Sequence, residues 1–311
     1  MFCYADDWMR AGLLESAATA ADREKADIVV FGVRNISSAA GGFYGVWKPP
    51  KREGVFTVSS FGDKAFVAFK WCAWNKLFRR KMVLELGIRF QNLPRVNDLF
   101  FVVANLATAD RIITLDAAGY CYHIDRNDNL CSTRDQHTGM AIEAWRELRR
   151  FLEERHLFEL YRAALVRGLL ISISNEMSFL HSSEMLTDFQ RYATKCLGEE
   201  FGIDDEFMKI YDSDPALQEI YRAIINPSGP LKHCVLRVEK ERKRCLVTSV
   251  ALMSLRRRYT VAKLRNEELS RRADELAGMV RALKKRPDSI RTCVRYIFHR
   301  LLQLVVRRKV C

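Results

Sequence analysis

The stretch from Asp27 to Val33 has the sequence DIVVFGV, a run of β-branched and aromatic residues that predicts a buried strand. Residues Leu13 to Lys25, just before it, have a helical composition. Residues Ile36 to Gly54, just after it, are rich in Ser, Gly and Pro and predict a loop. A helix followed by a buried strand and a loop is typical of an α/β or α+β domain.

The neighbouring segments extend this alternation of strands and helices. Three further strands are predicted at Phe56 to Ser59, Arg111 to Leu115 and Gly119 to His123, with Met1 to Tyr4 as the end of another. Trp74 to Phe78 precedes a basic helical turn, Asp98 to Ala109 forms an apolar helix, and helices continue from Met140 to Ile225. We therefore predict an α/β domain over residues 1–135 and a helical region over residues 136–226.

The composition excludes several classes of protein. The chain has 311 residues, 49% hydrophobic and 29% charged, and a mean hydropathy of −0.16, which is ordinary for a globular protein rather than a disordered or collagen-like one. The apolar runs are too short to span a bilayer. The first residues do not resemble a secretory signal, so we expect a cytoplasmic protein.

The cysteines and histidines do not form a recognisable metal motif. The nine cysteines are an odd number, and no two are separated by only two residues. The six histidines include no His-Glu-x-x-His arrangement. The sequence therefore predicts reduced thiols and argues against a zinc site or a disulfide framework.

Positive charge is concentrated at the C-terminal end. The net charge of the chain is +13, and residues 231–311 hold 23 Lys and Arg against 7 Asp and Glu. Two prolines and a glycine between Asn226 and Pro230 mark the boundary of this segment, because such residues cannot continue a helix. We predict a basic helical tail over residues 231–311.

Two parts of the tail have helical patterns that indicate partners. Residues 252–283 carry apolar side chains at alternating three- and four-residue steps, with Asn266 at an a position; this favours a coiled coil and a homo-oligomer, or equally a single helix packed onto the body. The residues after Pro287 predict a basic amphipathic helix. Helices of this kind bind anionic membrane surfaces, and here we expect the inner surface of the cell membrane. Nucleic acid is not an expected partner, because no recognition motif is present.

Three segments occur in an order that suggests a family. They are Phe2 to Trp8 (FCYADDW), Trp74 to Arg80 (WNKLFRR), and Asn97 to Phe100 (NDLF) leading to Tyr120 to Arg126 (YCYHIDR). Together they resemble the second half of the catalytic domain of family 2 glycosyltransferases, which have the GT-A fold, over about residues 1–132. We accordingly expect an N-terminally truncated, partial GT-A domain followed by the helical region and the tail.

The resemblance implies an inverting transfer of sugar from a nucleotide-diphosphate donor to a glycan or glycolipid acceptor, in cell-surface polysaccharide synthesis. Asp98 matches the general base of the family. Asp6 matches a ligand of Mn²⁺ or Mg²⁺, and Asp6, Asp7 and Arg126 would contact the donor. The chain departs from the family where Tyr4 replaces an acidic residue, and where Asn97 replaces the acidic neighbour of the base.

Each of these residues also has a purely structural interpretation. Asp6 and Asp7 could form a turn or a helix cap, and Asp98 could be a first-turn acid that the helix dipole stabilises. Trp71 and Trp74 are more typical of packing residues than of sugar platforms, and Lys76 is more typical of a solvated basic face. The alternative function is a non-catalytic remnant whose tail mediates assembly or membrane contact.

Overall fold

The computed structural model divides the chain into two compact units, Met1–Arg237 and Val238–Cys311. It describes residues 1–37, 42–124, 137–180 and 182–226 of the first unit. In the second unit it describes residues 270, 271, 273–275, 277 and 278, which are helical. Arg126, the basic helix after Pro287 and most of the predicted coiled coil lie outside the described residues, so the predictions made for them stay predictions.

A mixed five-stranded sheet forms the first half of unit 1. Its strands are β1 (Trp8–Met9), β2 (Ile28–Ser37), β3 (Gly42–Trp47), β4 (Lys76–Phe78) and β5 (Ile112–His123). The central strand β2 runs parallel to β5 and antiparallel to β3 and β4, while β1 pairs antiparallel with the end of β5. The α/β class expected from the sequence is confirmed.

Helices surround this sheet and form the second half of the unit. They are α1 (Leu13–Glu24), α2 (Arg80–Leu86), α3 (Asn97–Thr108), α4 (Met140–Glu154), α5 (Phe158–Met177), α6 (Ser183–Lys195) and α7 (Pro215–Ile225). Short 3-10 helices occur at Val58–Lys64 and Phe207–Tyr211, and a π-helical turn at Cys196–Glu200. The predicted helices at 13–25, 98–109 and 140–225 are confirmed.

Three local predictions are wrong. The predicted loop from Ile36 to Gly54 contains strand β3. Residues 56–59 are not a strand, because Phe56 makes only an isolated bridge to Ile112 before the 3-10 helix begins. Residues 1–4 have no regular structure, and the first strand of the described region begins at Trp8.

A fourth prediction is wrong for a reason that lies in strand β2. The two strands expected at 111–115 and 119–123 are one strand, whose register against β2 shifts on both sides of Gly32. A Cβ atom added at Gly32 would lie 3.0 Å from the Cα of Ala118. Glycine therefore lets the irregular part of β5 approach β2 closely, and the sequence shows this irregularity as an apparent turn.

One hydrophobic core joins the predicted α/β and helical regions. It extends from Ile28 and Leu99 to Trp145 and Ile224. Helix α3 is buried along its whole length from Leu99 to Ala107, which explains why its sequence is apolar on every face. Because this helix is held on all sides, the residues at its start have a fixed position.

No helix in the described parts of the chain combines the length and the apolar composition needed to cross a bilayer. The four cysteines for which the structure gives a state are free thiols: Cys121 and Cys196 are buried, Cys72 is partly buried and Cys3 is exposed.

Candidate functional site

Asp7 is a buried carboxylate that joins the N-terminal turn to strand β5. One of its oxygens accepts a hydrogen bond from the Tyr120 hydroxyl at 2.8 Å, and the other accepts from the backbone N–H of His123 at 3.1 Å. Burial raises the pKa of Asp7, and these two hydrogen bonds oppose the rise. Since both oxygens already have protein partners, Asp7 fixes the turn in place.

Asp6 occupies the exposed side of the same turn. Its backbone carbonyl lies 2.9 Å from Nδ1 of His123. A carbonyl oxygen can only accept, so the His123 ring carries its proton on Nδ1. The ring of Trp8, which is 44% exposed, lies 5.0 Å from the His123 ring. The backbone that carries the Asp6 carboxylate is therefore held by β5.

Asp98 is the second residue of α3. The helix begins directly after Val96, whose backbone is left-handed (φ +59°). The Asp98 side chain is partly buried. Burial raises the pKa of Asp98 to about 6, while nearby backbone N–H groups and the charge of Lys76 oppose the rise. Such a carboxyl group can exchange a proton near neutral pH, as a general base must.

Lys76 is fully buried at the start of β4, so the prediction of a solvated basic face is wrong for this residue. Its ammonium group donates to the carbonyls of Lys70 at 2.6 Å and Cys72 at 2.9 Å, and to Oδ1 of Asn75 at 2.7 Å. Desolvation lowers the pKa of Lys76 to about 8. Nothing in the sequence indicates this burial, because the groups that accept hydrogen bonds from Lys76 are mainly backbone atoms.

Trp74 connects the segment around Lys76 to strand β5. Its ring stacks on Tyr120 at 4.7 Å and on Tyr122 at 5.0 Å between centroids, and the residue is only 7% exposed. Trp71 also contacts the core, with its ring 5.6 Å from that of Trp145. Both contacts agree with the packing interpretation of these tryptophans.

The N-terminal segment that carries the acidic turn packs near α3 and β5: the Phe2 ring lies 5.4 Å from the ring of Phe101, and the backbone N–H of Tyr4 donates to the Tyr120 hydroxyl at 3.3 Å. Tyr4 itself responds to charge on both sides. The pKa of its hydroxyl is raised to about 12, first by partial burial and then by the negative charge of Asp98, with smaller contributions from Cys72, Tyr122 and Asp7. The packing of Phe2 and the effect of charge on Tyr4 therefore both place the N-terminal turn near the start of α3. Residues 91 positions apart in sequence, Asp7 and Asp98, border the same region.

The acidic side chains of the N-terminal turn decide how this site could bind a divalent cation. Within the described ranges, no group of three or more His, Cys, Asp or Glu side chains is placed to bind a metal. Both oxygens of Asp7 accept hydrogen bonds from Tyr120 and His123, and Asp6 is the acidic side chain of the turn at the surface. One carboxylate fits a cation that takes its other ligands from substrate phosphates and water, the usual arrangement for Mg²⁺.

Removing the Tyr120 hydroxyl tests the role of Asp7. We expect Tyr120→Phe to lower the free energy of unfolding by about 1 to 3 kcal/mol, because Asp7 stays buried with one partner fewer. Chemical denaturation at pH 7.5 measures this change. Tyr44→Phe, on an exposed residue of β3, is the control and should change little. An equal effect of both substitutions would show that the Tyr120–Asp7 bond does not stabilise the turn.

Comparison with known proteins gives structural neighbours only. No protein-family model and no curated protein matches the sequence. Among solved structures, the chain is similar to S. aureus TarS 1-349 in complex with UDP-GlcNAc, with a TM-score of 0.48 and 18% identity over 71% of this chain. The complex of TarS 1-349 with UDP has the same TM-score and identity. The match to another TarS structure has a TM-score of 0.46 and 17% identity. The chain spans 64% of TarS 1-349 and 39% of the longer TarS chain.

Proposed function

We propose that this protein is a glycosyltransferase that uses a nucleotide-diphosphate sugar. The observation that carries the proposal is that the N-terminal segment bearing Asp6 and Asp7 packs against α3, the helix that begins beside Asp98: the Phe2 ring lies 5.4 Å from the Phe101 ring. The same residues carry the sequence resemblance to family 2 glycosyltransferases. As finer proposals, the acceptor is a glycan or glycolipid and the product belongs to a cell-surface polysaccharide.

Asp98 would act as the base of the transfer. As the acceptor hydroxyl oxygen bonds to the anomeric carbon of the donor, its proton passes to the Asp98 carboxylate. The bond from the anomeric carbon to the diphosphate oxygen breaks, and its electron pair leaves with the nucleoside diphosphate. The raised pKa of Asp98, about 6, suits a group that is ionised at pH 7.5 yet basic enough to accept this proton.

Asp6 would hold the divalent cation together with the phosphates of the donor. A bound Mn²⁺ or Mg²⁺ supplies positive charge that stabilises the leaving diphosphate. The backbone of Asp6 is held in place by two sets of contacts. Its neighbour Asp7 accepts hydrogen bonds from Tyr120 and His123, and its own carbonyl accepts from the His123 ring. Arg126, outside the described residues, is proposed as a further contact to the donor by resemblance alone.

Release of nucleoside diphosphate tests the proposed activity directly. The full chain is incubated with a panel of nucleotide sugars, Mn²⁺ or Mg²⁺, and a mixture of glycan and glycolipid acceptors. UDP-GlcNAc belongs in the panel because TarS binds it. Release that requires both the cation and an acceptor supports a transferase. Release from no donor in the panel would instead favour the non-catalytic alternative.

The role of Asp6 can be tested by binding alone. We expect Asp6→Asn to weaken binding of UDP in the presence of Mn²⁺ by about tenfold, because an amide is a poorer ligand than a carboxylate for a hard cation. Isothermal titration calorimetry measures the affinity. Asp22→Asn removes a matched exposed carboxylate from α1 and should leave it unchanged. If Asp6→Asn binds UDP as tightly as the unaltered protein, Asp6 does not hold the cation.

A further inference from the structure

The end of the sheet beside the acidic turn has one buried face and one exposed face. The buried face carries Val33 and Tyr120, which belong to the hydrophobic core. The opposite face carries Trp8, Phe43 and Val46, which are 44%, 54% and 44% exposed. A sheet with one face in water normally carries polar side chains on that face. Large apolar side chains there indicate a surface that binds a partner.

Strand pairing places the exposed side chains on one face. Trp8 of β1 pairs with Cys121 of β5. Cys121 pairs in turn with Arg34 of β2, which pairs with Val46 of β3. Directly paired residues of neighbouring strands point to the same side of a sheet. Phe43 lies on this side too, because the guanidinium of Arg34 is 4.7 Å from the centre of its ring.

Both exposed rings have a fixed position. Trp8 directly follows Asp7, whose carboxylate is held by β5, and the Trp8 ring lies 5.0 Å from the ring of His123. The ring of Phe43 has the guanidinium of Arg34 over it. Rings that are already oriented can bind a ligand at a low cost in conformational entropy.

The separation of the two rings sets the length of the partner. The strand order is β1-β5-β2-β3, so three steps across the sheet separate Trp8 from Phe43. Each step is about 4.8 Å, which puts the two residues roughly 15 Å apart, about the length of three pyranose residues in an extended glycan. Arg34 and His123, on the strands between, add polar groups. A sugar residue has an apolar C–H face and a rim of hydroxyl groups, so it matches this mixture better than a purely apolar partner does.

We propose that the exposed sheet face formed by Trp8, Arg34, Phe43 and Val46 binds the acceptor, which is an extended glycan of at least three pyranose residues. One sugar stacks on Trp8 and a more distant one stacks on Phe43. The Trp8 end adjoins the acidic turn, because the His123 ring contacts both the Trp8 ring and the carbonyl of Asp6. The inference rests on the proposed function for the role of this glycan as acceptor, but its binding can be measured without any activity.

Binding of oligosaccharides of increasing length tests the inference. The probes are β-1,4-linked oligomers of glucose, galactose and N-acetylglucosamine with one to six residues, and isothermal titration calorimetry on the full chain measures their affinity. We expect the affinity to rise up to about three or four residues. Phe43→Ala should weaken binding of the hexamers by about tenfold and leave that of the dimers unchanged, whereas Trp8→Ala should weaken both. Phe179→Ala removes a similarly exposed ring just after α5 and should bind like the unaltered protein.

Other occupants of the exposed sheet face would give different results, and each would overturn the proposal. If Trp8→Ala weakens binding of UDP instead of the oligomers, its ring stacks on the base of the donor. If Phe43→Ala converts a dimer to a monomer in light scattering, the face joins two copies of the chain. Absence of oligomer binding, or an affinity that is independent of length, would also overturn it.

The failure of this inference can be told from that of the proposed function. Length-dependent binding of oligomers by a protein that releases no nucleoside diphosphate would refute the proposed function alone. Transfer at the same rate by Trp8→Ala, Phe43→Ala and the unaltered protein would refute the role of the exposed sheet face alone.

Discussion

Asp98→Asn is expected to lower kcat for sugar transfer by about 10² to 10⁴-fold, the range that general-base catalysis contributes. The amide preserves the shape of the side chain but cannot accept the proton of the acceptor. Binding of the donor should change little, because the base contacts the acceptor. Initial rates of nucleoside diphosphate release at pH 7.5, with saturating donor and acceptor, measure the loss.

The pH dependence of transfer provides a second measurement on the same residue. Asp98 must be ionised to act as a base, and its pKa is about 6. In the unaltered protein, kcat/KM should therefore fall below about pH 6, and this acid limb should disappear in Asp98→Asn. Asp110→Asn, which changes an exposed acid just after α3, should retain both the rate and the acid limb.

Asp98→Asn should also stabilise the fold. The pKa of Asp98 is higher in the folded protein than its ordinary value of 3.8, so the unfolded chain releases this proton first as the pH rises. Ionisation of Asp98 thus reduces stability between about pH 4 and 6, and the full cost is present above pH 6. At pH 7.5, Asp98→Asn should raise the free energy of unfolding by on the order of 1 kcal/mol.

A gain in stability together with a loss of rate would distinguish a catalytic carboxylate from a structural one. If Asp98→Asn destabilises the protein, the residue acts as a first-turn acid for α3. Transfer at the normal rate in Asp98→Asn would remove this residue from the mechanism, and the proposed base would have to be sought elsewhere.

Local sequence patterns are sufficient to predict the helices but not all of the strands. Helices α1 and α3 follow from composition and periodicity over neighbouring residues. Strand β3 was missed because Ser, Gly and Pro surround it, and its pairing with β2 depends on contacts that composition does not encode. Strand β5 was divided in two because its irregular part coincides with small residues opposite Gly32.

The candidate site was predictable in its acidic residues and not in the residues that support them. Asp6 and Asp98 could be proposed because the family resemblance marks them. The hydrogen bond from Tyr120 to Asp7 joins residues 113 positions apart, so local spacing could not reveal it. The burial of Lys76 depends on hydrogen bonds to the backbone carbonyls of Lys70 and Cys72. A pattern of side chains in the sequence does not indicate such bonds.

Arg167 is a second supporting residue of this kind, and it joins the α/β and helical regions. It lies on α5 and is only 7% exposed. Its guanidinium forms ion pairs with Asp63 in the 3-10 helix Val58–Lys64 and with Asp214 at 2.8 Å. Asp214 also caps α7 by accepting from the N–H of Leu217 at 3.1 Å. One side chain therefore fixes three elements relative to one another.

We expect Arg167→Met to lower the free energy of unfolding by about 3 kcal/mol at pH 7, because two partly buried carboxylates lose their shared partner. Arg191→Met is the matched control: its pair with Asp188 lies at the surface, where both side chains are more than half exposed. Loss of such a pair should change the free energy by less than about 0.5 kcal/mol. Urea denaturation of both variants measures the difference.

Acid should reduce the effect of Arg167→Met in a predictable direction. The hydrogen bond from Arg167 holds the pKa of Asp214 below its ordinary value of 3.8. The stability that this pair contributes is therefore complete above about pH 4 and is lost as the pH falls through the folded-state pKa of Asp214. The two proteins should differ most at neutral pH and converge in acid. A difference that stays constant from pH 7 to pH 3 would show that Arg167 acts through packing against Tyr211 rather than through its charge.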